Sequence, residues 1–142
     1  VEYGRCDAGS YISEGQLRGG DRGVQLVVDL GKWWFAQTEL PLPLGVNAVR
    51  KNLGDQLNKA VCRLMKESIQ FSLDHREEAL EYALQYGRDL DRGRADQFVG
   101  MYVNDWTLDL GDRGRRAIEL LLLAGFESGL LEAPVNIEFI EF

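Results

Sequence analysis

The pattern of apolar residues changes character at about residue 52, and this change constrains the fold more than any other feature of the chain. Before it, short runs rich in β-branched residues alternate with turns and one helical segment, a pattern typical of buried strands. After it, apolar residues recur at helical spacing almost to the end of the chain. The sequence therefore predicts an α/β fold, with a strand-rich segment over residues 1–51 and a helical segment over residues 52–142.

Three strands are predicted in the first segment, over residues 7–12, 24–30 and 44–50. A short amphipathic helix over residues 31–38 separates the second strand from the third. The prolines at positions 41 and 43 require extended backbone after that helix, because proline cannot continue a helix and restricts the residue before it. This strand, helix, strand order favours an α/β sheet.

Four helices are predicted in the second segment, followed by an extended piece near its end. Asn52 is placed to cap the first helix and Asp74 to cap the second. No repeat, low-complexity stretch or flexible linker interrupts the chain, so we predict a single structural unit. The predicted helices cover residues 52–73, 75–86, 91–102 and 112–128, and the extended piece covers residues 135–140.

The charge balance argues against one class of binding partner. The chain has 142 residues, and its 16 basic residues are outnumbered by 23 acidic ones, so the formal net charge is −7. Such a surface repels a phosphate backbone, which argues against nucleic acid as a partner. No stretch approaches the roughly 20 apolar residues that a bilayer span requires. Cys6 and Cys62 fit no metal-ligand spacing, and we expect a reduced, cytoplasmic environment and no membrane association.

Three polar features that could carry chemistry have structural explanations. His75 is the only histidine and begins a predicted helix, where a solvated side chain is expected rather than a general base in a pocket. The glycines within residues 15–23 match neither the dinucleotide-binding nor the Walker spacing. Glu77, Glu78 and Glu81 suit a solvated helix face better than a metal site without histidine ligands. We therefore expect no metal and no cofactor.

Two loops are more informative. Residues 40–45 lead into a predicted strand in which Asn47 interrupts an apolar run, and a buried amide there must either find a partner or face a ligand. In residues 102–109, Asn104 can cap and turn the chain while Trp106 anchors the loop, so structure alone explains that sequence. Asn47 is therefore a candidate ligand contact, with backbone pairing as the alternative.

Four stretches of the sequence are distinctive together: Asp7-Ala8-Gly9 with Glu14 and Gly15, residues 29–34, residues 40–45 with Arg50, Leu53 and Gly54, and above all residues 98–109. They resemble the carboxy-terminal half of the 1,4-dihydroxy-6-naphthoate synthase family, which serves menaquinone biosynthesis by the futalosine pathway. The resemblance covers nearly the whole chain. It implies a two-lobed α/β cleft fold like that of type II periplasmic binding proteins. It also implies a lyase reaction that splits cyclic dehypoxanthine futalosine into 1,4-dihydroxy-6-naphthoate and a three-carbon fragment.

The resemblance places Ser13 where the family has a proton-accepting histidine. A serine hydroxyl cannot take that role unaided at neutral pH. The sequence also departs from the family pattern at Ser10, Tyr11 and Val46, near the expected cleft. The family's other substrate contacts come largely from an amino-terminal lobe that this chain does not contain. The resemblance thus implies Ser13 as the catalytic position, and the expected substrate-binding positions are Tyr11, Leu44, Gly45 and Asn47.

Three functions remain open at this point. The chain is the second part of a lyase, inactive alone, with Ser13 either a natural loss or an introduced substitution. Alternatively, it is a binding module of the same cleft fold that holds a small aromatic or carboxylate ligand without chemistry. The third alternative is a structural or interaction domain. We expect the missing amino-terminal lobe or a second copy of the chain to cover an exposed apolar edge, and the second case would produce a homodimer.

Overall fold

The computed structural model of the protein describes residues 6–10, 25–86 and 91–141, and its regular structure is helical. In chain order the elements are α1 (Leu30–Thr38), a 3₁₀ helix (Lys51–Leu53), α2 (Asp55–Asp74), α3 (Arg76–Leu84), α4 (Arg92–Tyr102), α5 (Asp105–Leu108) and α6 (Gly111–Glu127).

The predicted α/β fold class is wrong for the described residues, which contain helices and no strand. Residues 25–29 belong to the second predicted strand and residues 44–50 are the third, yet neither stretch is assigned as strand. Residues 7–10, from the first predicted strand, are not a strand either, and the rest of that prediction lies outside the described residues. A strand exists only when a neighbouring strand pairs with its N–H and C=O groups. The described residues supply no such neighbour.

The predicted helices are confirmed, and aspartate caps begin two of them. The Asp29 carboxylate accepts a hydrogen bond from the Lys32 N–H at 3.0 Å, just before α1. The Asp91 carboxylate accepts one from the Arg94 N–H at 2.9 Å, just before α4. Each cap satisfies a backbone donor that the first turn of the helix leaves without an intrahelical partner. Within the described ranges, no helix combines the length and apolar composition that crossing a membrane requires.

The two predicted caps at Asn52 and Asp74 are wrong. Asn52 lies inside the 3₁₀ helix, and α2 begins after Gly54, whose φ of +86° is readily adopted only by glycine. Asp74 is the last residue of α2, where its carboxylate accepts a hydrogen bond from the Gln70 amide at 2.9 Å. His75 separates α2 from α3 and provides no side-chain cap. The spacing of apolar residues therefore located α2 and α3, but the predicted capping residues did not locate where these two helices begin.

The helices enclose a small core. Helix α3 packs against α2 and α4, while α2 also packs against α5 and the 3₁₀ helix. Gly114 permits a close approach inside this region, because a Cβ atom at that position would lie 3.0 Å from the Leu110 Cβ and 3.4 Å from the Trp106 ring. Among the described residues, the buried apolar side chains are Trp34, Leu80, Ala95, Ala117 and Ile118.

Polar contacts join elements that are distant in sequence. The Arg76 guanidinium binds the Asp96 carboxylate at 2.8 Å and the Asp96 carbonyl oxygen at 3.1 Å, which links α3 to α4. The Arg113 guanidinium donates to the Glu39 carbonyl oxygen at 2.5 Å, which links the start of α6 to the end of α1. The second contact lies just before the irregular segment over residues 41–50.

Candidate functional site

Three of the five predicted site residues lie in the described chain, within residues 41–50. Ser13 and Tyr11 lie outside the described residues. The Leu44 side chain is 60% exposed, and no atom lies within 4 Å of the Cβ position of Gly45. Asn47 is also exposed, and its amide makes no hydrogen bond among the described residues. The alternative in which neighbouring backbone satisfies this amide is therefore not what the structure shows.

The segment that carries these residues is anchored at its start. Trp34 is buried in α1, and its indole N–H donates to the Pro41 carbonyl oxygen at 3.2 Å. The Thr38 hydroxyl donates to the Trp34 carbonyl oxygen at 2.8 Å and accepts from the Leu40 N–H at 3.2 Å. Glu39 adopts the left-handed conformation, with φ of 57°, where α1 ends. These contacts hold the start of the segment against the end of α1.

The far end of the segment is anchored by the 3₁₀ helix. Arg50 precedes this helix in an extended conformation, and its carbonyl oxygen accepts from the Leu53 N–H at 3.3 Å. The Lys51 ammonium pairs with the Glu138 carboxylate at 2.5 Å, which attaches the 3₁₀ helix to the carboxy-terminal residues. The candidate site is thus a segment held at both ends, with exposed side chains between them.

Two of the three acidic side chains on the face of α3, Glu77 and Glu81, lie beside Arg92. Arg92 binds Glu77 and lies 3.6 Å from the Glu81 carboxylate. The hydrogen bond to Glu77, followed by its charge, raises the pKa of Arg92 above its ordinary value. A hydrogen bond to Glu141 likewise raises the pKa of Arg115. Across the described ranges, no three His, Cys, Asp or Glu side chains lie close enough together to hold a metal ion.

His75 is exposed, as predicted, and its ring contacts Phe71. Its Nδ1 lies 2.9 Å from the Phe71 carbonyl oxygen, and its ring stacks on the Phe71 ring with 4.0 Å between the centroids. The neighbouring charged residues point to other partners, Asp74 to Gln70 and Arg76 to Asp96. No carboxylate among the described residues orients the imidazole, which a general base of the triad type requires.

Residues 102–109 have the structural role that the sequence predicted. The Asn104 side chain accepts from the Trp106 N–H at 3.0 Å and donates to the Gly100 carbonyl oxygen at 3.1 Å. The Thr107 hydroxyl accepts from the Asn104 N–H at 3.2 Å, which completes a capping box at the start of α5. These hydrogen bonds join the end of α4 to α5 without involving a ligand.

Sequence reasoning missed an exposed apolar surface on α2, which we call the α2 stripe (Leu57, Leu64 and Phe71). These side chains are 49%, 62% and 60% exposed, and they recur every seven residues, so they lie on one face of the helix. The seven-residue spacing is the sequence feature from which this surface could have been predicted. The sequence does not say which apolar face of α2 packs, because both faces carry suitable side chains.

A buried amide on α2 also went unpredicted. Asn58 is 8% exposed, and its side-chain oxygen has no hydrogen-bond partner among the described residues. Leaving a buried acceptor unpaired costs about 1 to 3 kcal/mol, so such atoms are uncommon in folded proteins. Nothing in the local sequence distinguishes Asn58 from an exposed helical asparagine.

A cavity of about 190 Å³ lies away from the predicted site, between α6 and the residues that follow it. Its lining combines one acidic side chain and one amide with apolar side chains, and it contains none of the predicted site residues. The lining residues are Glu119, Leu123, Pro134, Val135, Asn136 and Ile137.

Comparison with known proteins confirms the resemblance seen in the sequence. Residues 1–127 match the family described as menaquinone biosynthesis. A 1,4-dihydroxy-6-naphthoate synthase of Thermus thermophilus is 37% identical over 130 residues, which are 92% of this chain and 48% of that protein. A synthase of the same name from Streptomyces coelicolor is 33% identical over 133 residues, which are 94% of this chain and 47% of that protein.

A solved structure shares the fold of this chain. The crystal structure of a protein from Archaeoglobus fulgidus superposes with a TM-score of 0.78 at 42% sequence identity, covering 83% of this chain and 45% of that one. The chain therefore spans about half the length of each of these three proteins.

Proposed function

This chain belongs to the menaquinone biosynthesis family, and from that premise we propose that it forms the carboxy-terminal part of a 1,4-dihydroxy-6-naphthoate synthase. The observation that carries the proposal is the match of nearly the whole chain to two synthases of that name. The reaction that the sequence resemblance implies is the cleavage of cyclic dehypoxanthine futalosine to 1,4-dihydroxy-6-naphthoate. Because the relatives are about twice as long, the complete activity requires the half that this chain does not span.

The role we propose for the described residues is to form one wall of the substrate cleft. Gly45 leaves open space beside the backbone, and the exposed Asn47 amide can both donate and accept hydrogen bonds. A flat aromatic ring with a carboxylate offers complementary surfaces, one apolar and one that accepts hydrogen bonds. Leu44 and Tyr11 complete the proposed substrate contacts.

Ser13 limits the chemistry that this wall of the cleft can carry out. A general base must hold a proton during the reaction, and a serine hydroxyl does not do so at neutral pH without an activating partner. We therefore propose that this chain holds substrate in a completed cleft but removes the substrate proton poorly, because Ser13 occupies the position of the family's histidine.

The test restores the histidine in a completed protein. The chain and its Ser13→His variant are each fused behind the amino-terminal half of the Thermus thermophilus synthase, and naphthoate formation from cyclic dehypoxanthine futalosine is measured. We expect Ser13→His to raise the rate by about 100-fold or more, because a positioned general base contributes on that scale. Binding of the substrate should change much less than the rate.

Ser10→His is the matched control, because it places the same side chain three residues away in the same stretch of sequence. This variant should form no more naphthoate than the parent chain. Equal rates for the two histidine variants would contradict the assignment of Ser13. Full activity of the parent fusion would contradict the proposal that serine limits the reaction.

The second candidate function is ligand binding without turnover, and the serine at position 13 is the observation that favours it. A cleft that keeps hydrogen-bonding groups such as Asn47 but has no base can hold an aromatic carboxylate unchanged. Titration of the fused protein with 1,4-dihydroxy-6-naphthoate separates the two functions. Saturable binding, together with no product from Ser13→His, would favour the binding module.

A further inference from the structure

One face of α2 is apolar and uncovered. Its three side chains, the α2 stripe (Leu57, Leu64 and Phe71), follow one another at seven-residue intervals, which fall only about 20° short of two full helical turns. They therefore project from one side of the helix over about 21 Å of its length. The packed side of the same helix carries Asn58, which is buried, and Cys62, which is half-buried. One face of α2 thus packs within this chain, and another is open to a second surface.

The spacing of the stripe is symmetric about Leu64. Leu57 lies seven residues before it, and Phe71 lies seven residues after it. When two α2 helices pack face to face and antiparallel, a twofold axis between the two Leu64 side chains brings Leu57 of each copy beside Phe71 of the other. The stripe is therefore complementary to itself. Helices that pack along a seven-residue apolar repeat are a common basis for the association of two chains.

The charges beside the stripe favour the antiparallel direction. Arg63 and Glu67 lie on the same flank of the stripe, and both are exposed. Neither forms an ion pair within the part of the chain that the structure describes. In the antiparallel pair this flank faces the same flank of the second copy, so Arg63 lies within about 3 Å, measured along the helix axis, of the level of Glu67 in the other copy. In a parallel pair the flank would face Val61 and Ser68, which carry no charge.

The charged flank and the end of the stripe border one groove. The volume of this groove is about 520 Å³, and Arg63, Glu67 and Phe71 are among the residues that line it. Leu57 of the second copy, which lies beside Phe71 in the antiparallel pair, would fill the apolar end of the groove. A groove beside a ridge of side chains is the surface that a second helix packs against.

We propose that a second copy of this chain covers the α2 stripe, with the two α2 helices antiparallel about a twofold axis beside Leu64. The self-complementary spacing and charges favour a second copy over an unrelated partner, whose surface would have to match both. An interface of three apolar side chains from each copy is small, so we expect a dissociation constant of about 10 μM rather than a nanomolar one. The inference goes beyond the proposed lyase function and does not depend on it.

The mass of the chain in solution tests the proposal. Sedimentation velocity of the 142-residue chain, measured from about 1 to 200 μM, should show a change from one chain to two. Leu64→Glu places two carboxylates at the centre of the interface and should weaken dimerisation by about 100-fold or more. Leu130→Glu is the matched control, since Leu130 is 82% exposed and lies outside α2, and it should leave the dimer unchanged. Helical circular dichroism should be the same for all three proteins, because both leucines are mostly exposed.

Charge exchange tests the direction of the helices. Arg63→Glu and Glu67→Arg should each weaken dimerisation by about 10-fold, because like charges then meet across the interface. An equimolar mixture of the two variants should associate as strongly as the parent chain, because each variant carries the charges that the other lacks. The mixture excludes an effect within one helix, since each chain keeps its own substitution.

Four results would overturn the inference. A chain that stays monomeric up to about 200 μM does not form this pair. A dimer that Leu64→Glu does not weaken uses another surface, and a mixture no stronger than the separate variants excludes the antiparallel arrangement. The fourth result concerns the amino-terminal half of the Thermus thermophilus synthase: if it dissociates the dimer and its own binding is abolished by Leu64→Glu, the stripe belongs to that half. Naphthoate formation by the fused protein is measured separately, so a monomeric chain leaves the lyase proposal standing.

Discussion

The irregular segments over residues 25–29 and 41–50 differ from the helices that follow them in how their backbone N–H and C=O groups find hydrogen-bond partners. A helix pairs its own N–H and C=O groups, so it forms wherever its local sequence allows and one face finds a neighbour. A strand depends on a second segment for every hydrogen bond. The helices are accordingly present and the strands absent in the described chain, although the sequence pattern predicted both.

Exposure of apolar side chains follows the same division. Leu80 in α3 is 4% exposed and Ala117 in α6 is completely buried, whereas Leu26 and Val27 are 76% and 90% exposed. The α2 stripe shows that the division is not absolute, because one helix carries a packed face and an uncovered one. Side chains with partners in this chain should matter for its stability, and the uncovered ones should matter for association.

The largest expected effect contrasts one leucine from each region. Leu80→Ala removes a buried side chain and should lower the free energy of unfolding by about 2 to 4 kcal/mol, because it loses apolar burial and leaves a cavity. Leu44→Ala should change it by less than about 0.5 kcal/mol, since Leu44 is mostly exposed. Urea unfolding followed by helical circular dichroism measures both. Similar losses for the two variants would contradict the comparison.

A smaller effect is expected where α4 meets α5. Asn104→Ala removes the cap of α5 and the hydrogen bond to the Gly100 carbonyl oxygen, and it should cost about 1 to 2 kcal/mol of stability. Asn104→Ser retains a capping hydroxyl, so it should lose less than half as much. The same unfolding experiment distinguishes them. An Asn104→Ala variant as stable as the parent would show that the cap contributes nothing.

The smallest effect concerns a tyrosine pair on α3 and the residues after it. The Tyr86 hydroxyl donates to the Tyr82 hydroxyl at 3.1 Å, and this hydrogen bond, with a smaller contribution from burial, raises the pKa of Tyr86 above its ordinary value of 10.0. Because the protonated form is favoured, the pair stabilises the fold below the ordinary pKa, and this contribution is lost as pH rises through the raised pKa.

Tyr82→Phe should therefore shift the pKa of Tyr86 back toward its ordinary value. NMR of tyrosine labelled at the ring carbon that bears the hydroxyl measures the titration residue by residue. Tyr102→Phe is the control, because Tyr102 lies outside this pair, and it should leave the Tyr86 titration unchanged. An unaltered titration in Tyr82→Phe would show that the hydrogen bond is not the cause.

Much of the helical region was predictable from sequence because its determinants are local. The start of α4 follows from Asp91, and the capping box of α5 involves residues within a few positions of Asn104. The errors at Asn52 and Asp74 also involve residues close together in sequence. In each case the backbone conformation of a neighbouring residue displaced the start of the helix. The 3₁₀ helix ends at Gly54, so α2 begins three residues later than predicted, at Asp55, and a break at His75 displaces the start of α3 to Arg76.

The candidate site was less predictable because it depends on residues that are not neighbours in sequence. Asn47 was expected to be buried in an apolar run, but it is exposed in the described chain. Ser13 and Tyr11 lie outside the described residues, so their role as site residues stays a prediction. The identity of the family was accessible from sequence alone, since it rests on residue identity over nearly the whole chain.

The sequence by itself determined the approximate positions of the longer helices and the family, because helical hydrogen bonds and capping contacts join residues at most a few positions apart. Tertiary structure alone decided that Asn58 is buried, that the α2 stripe is the uncovered face of its helix, and that residues 42–49 make no backbone hydrogen bond within the described chain. Those outcomes depend on which residues, distant in sequence, pack beside a segment. Strand pairing and apolar burial both require such a second surface.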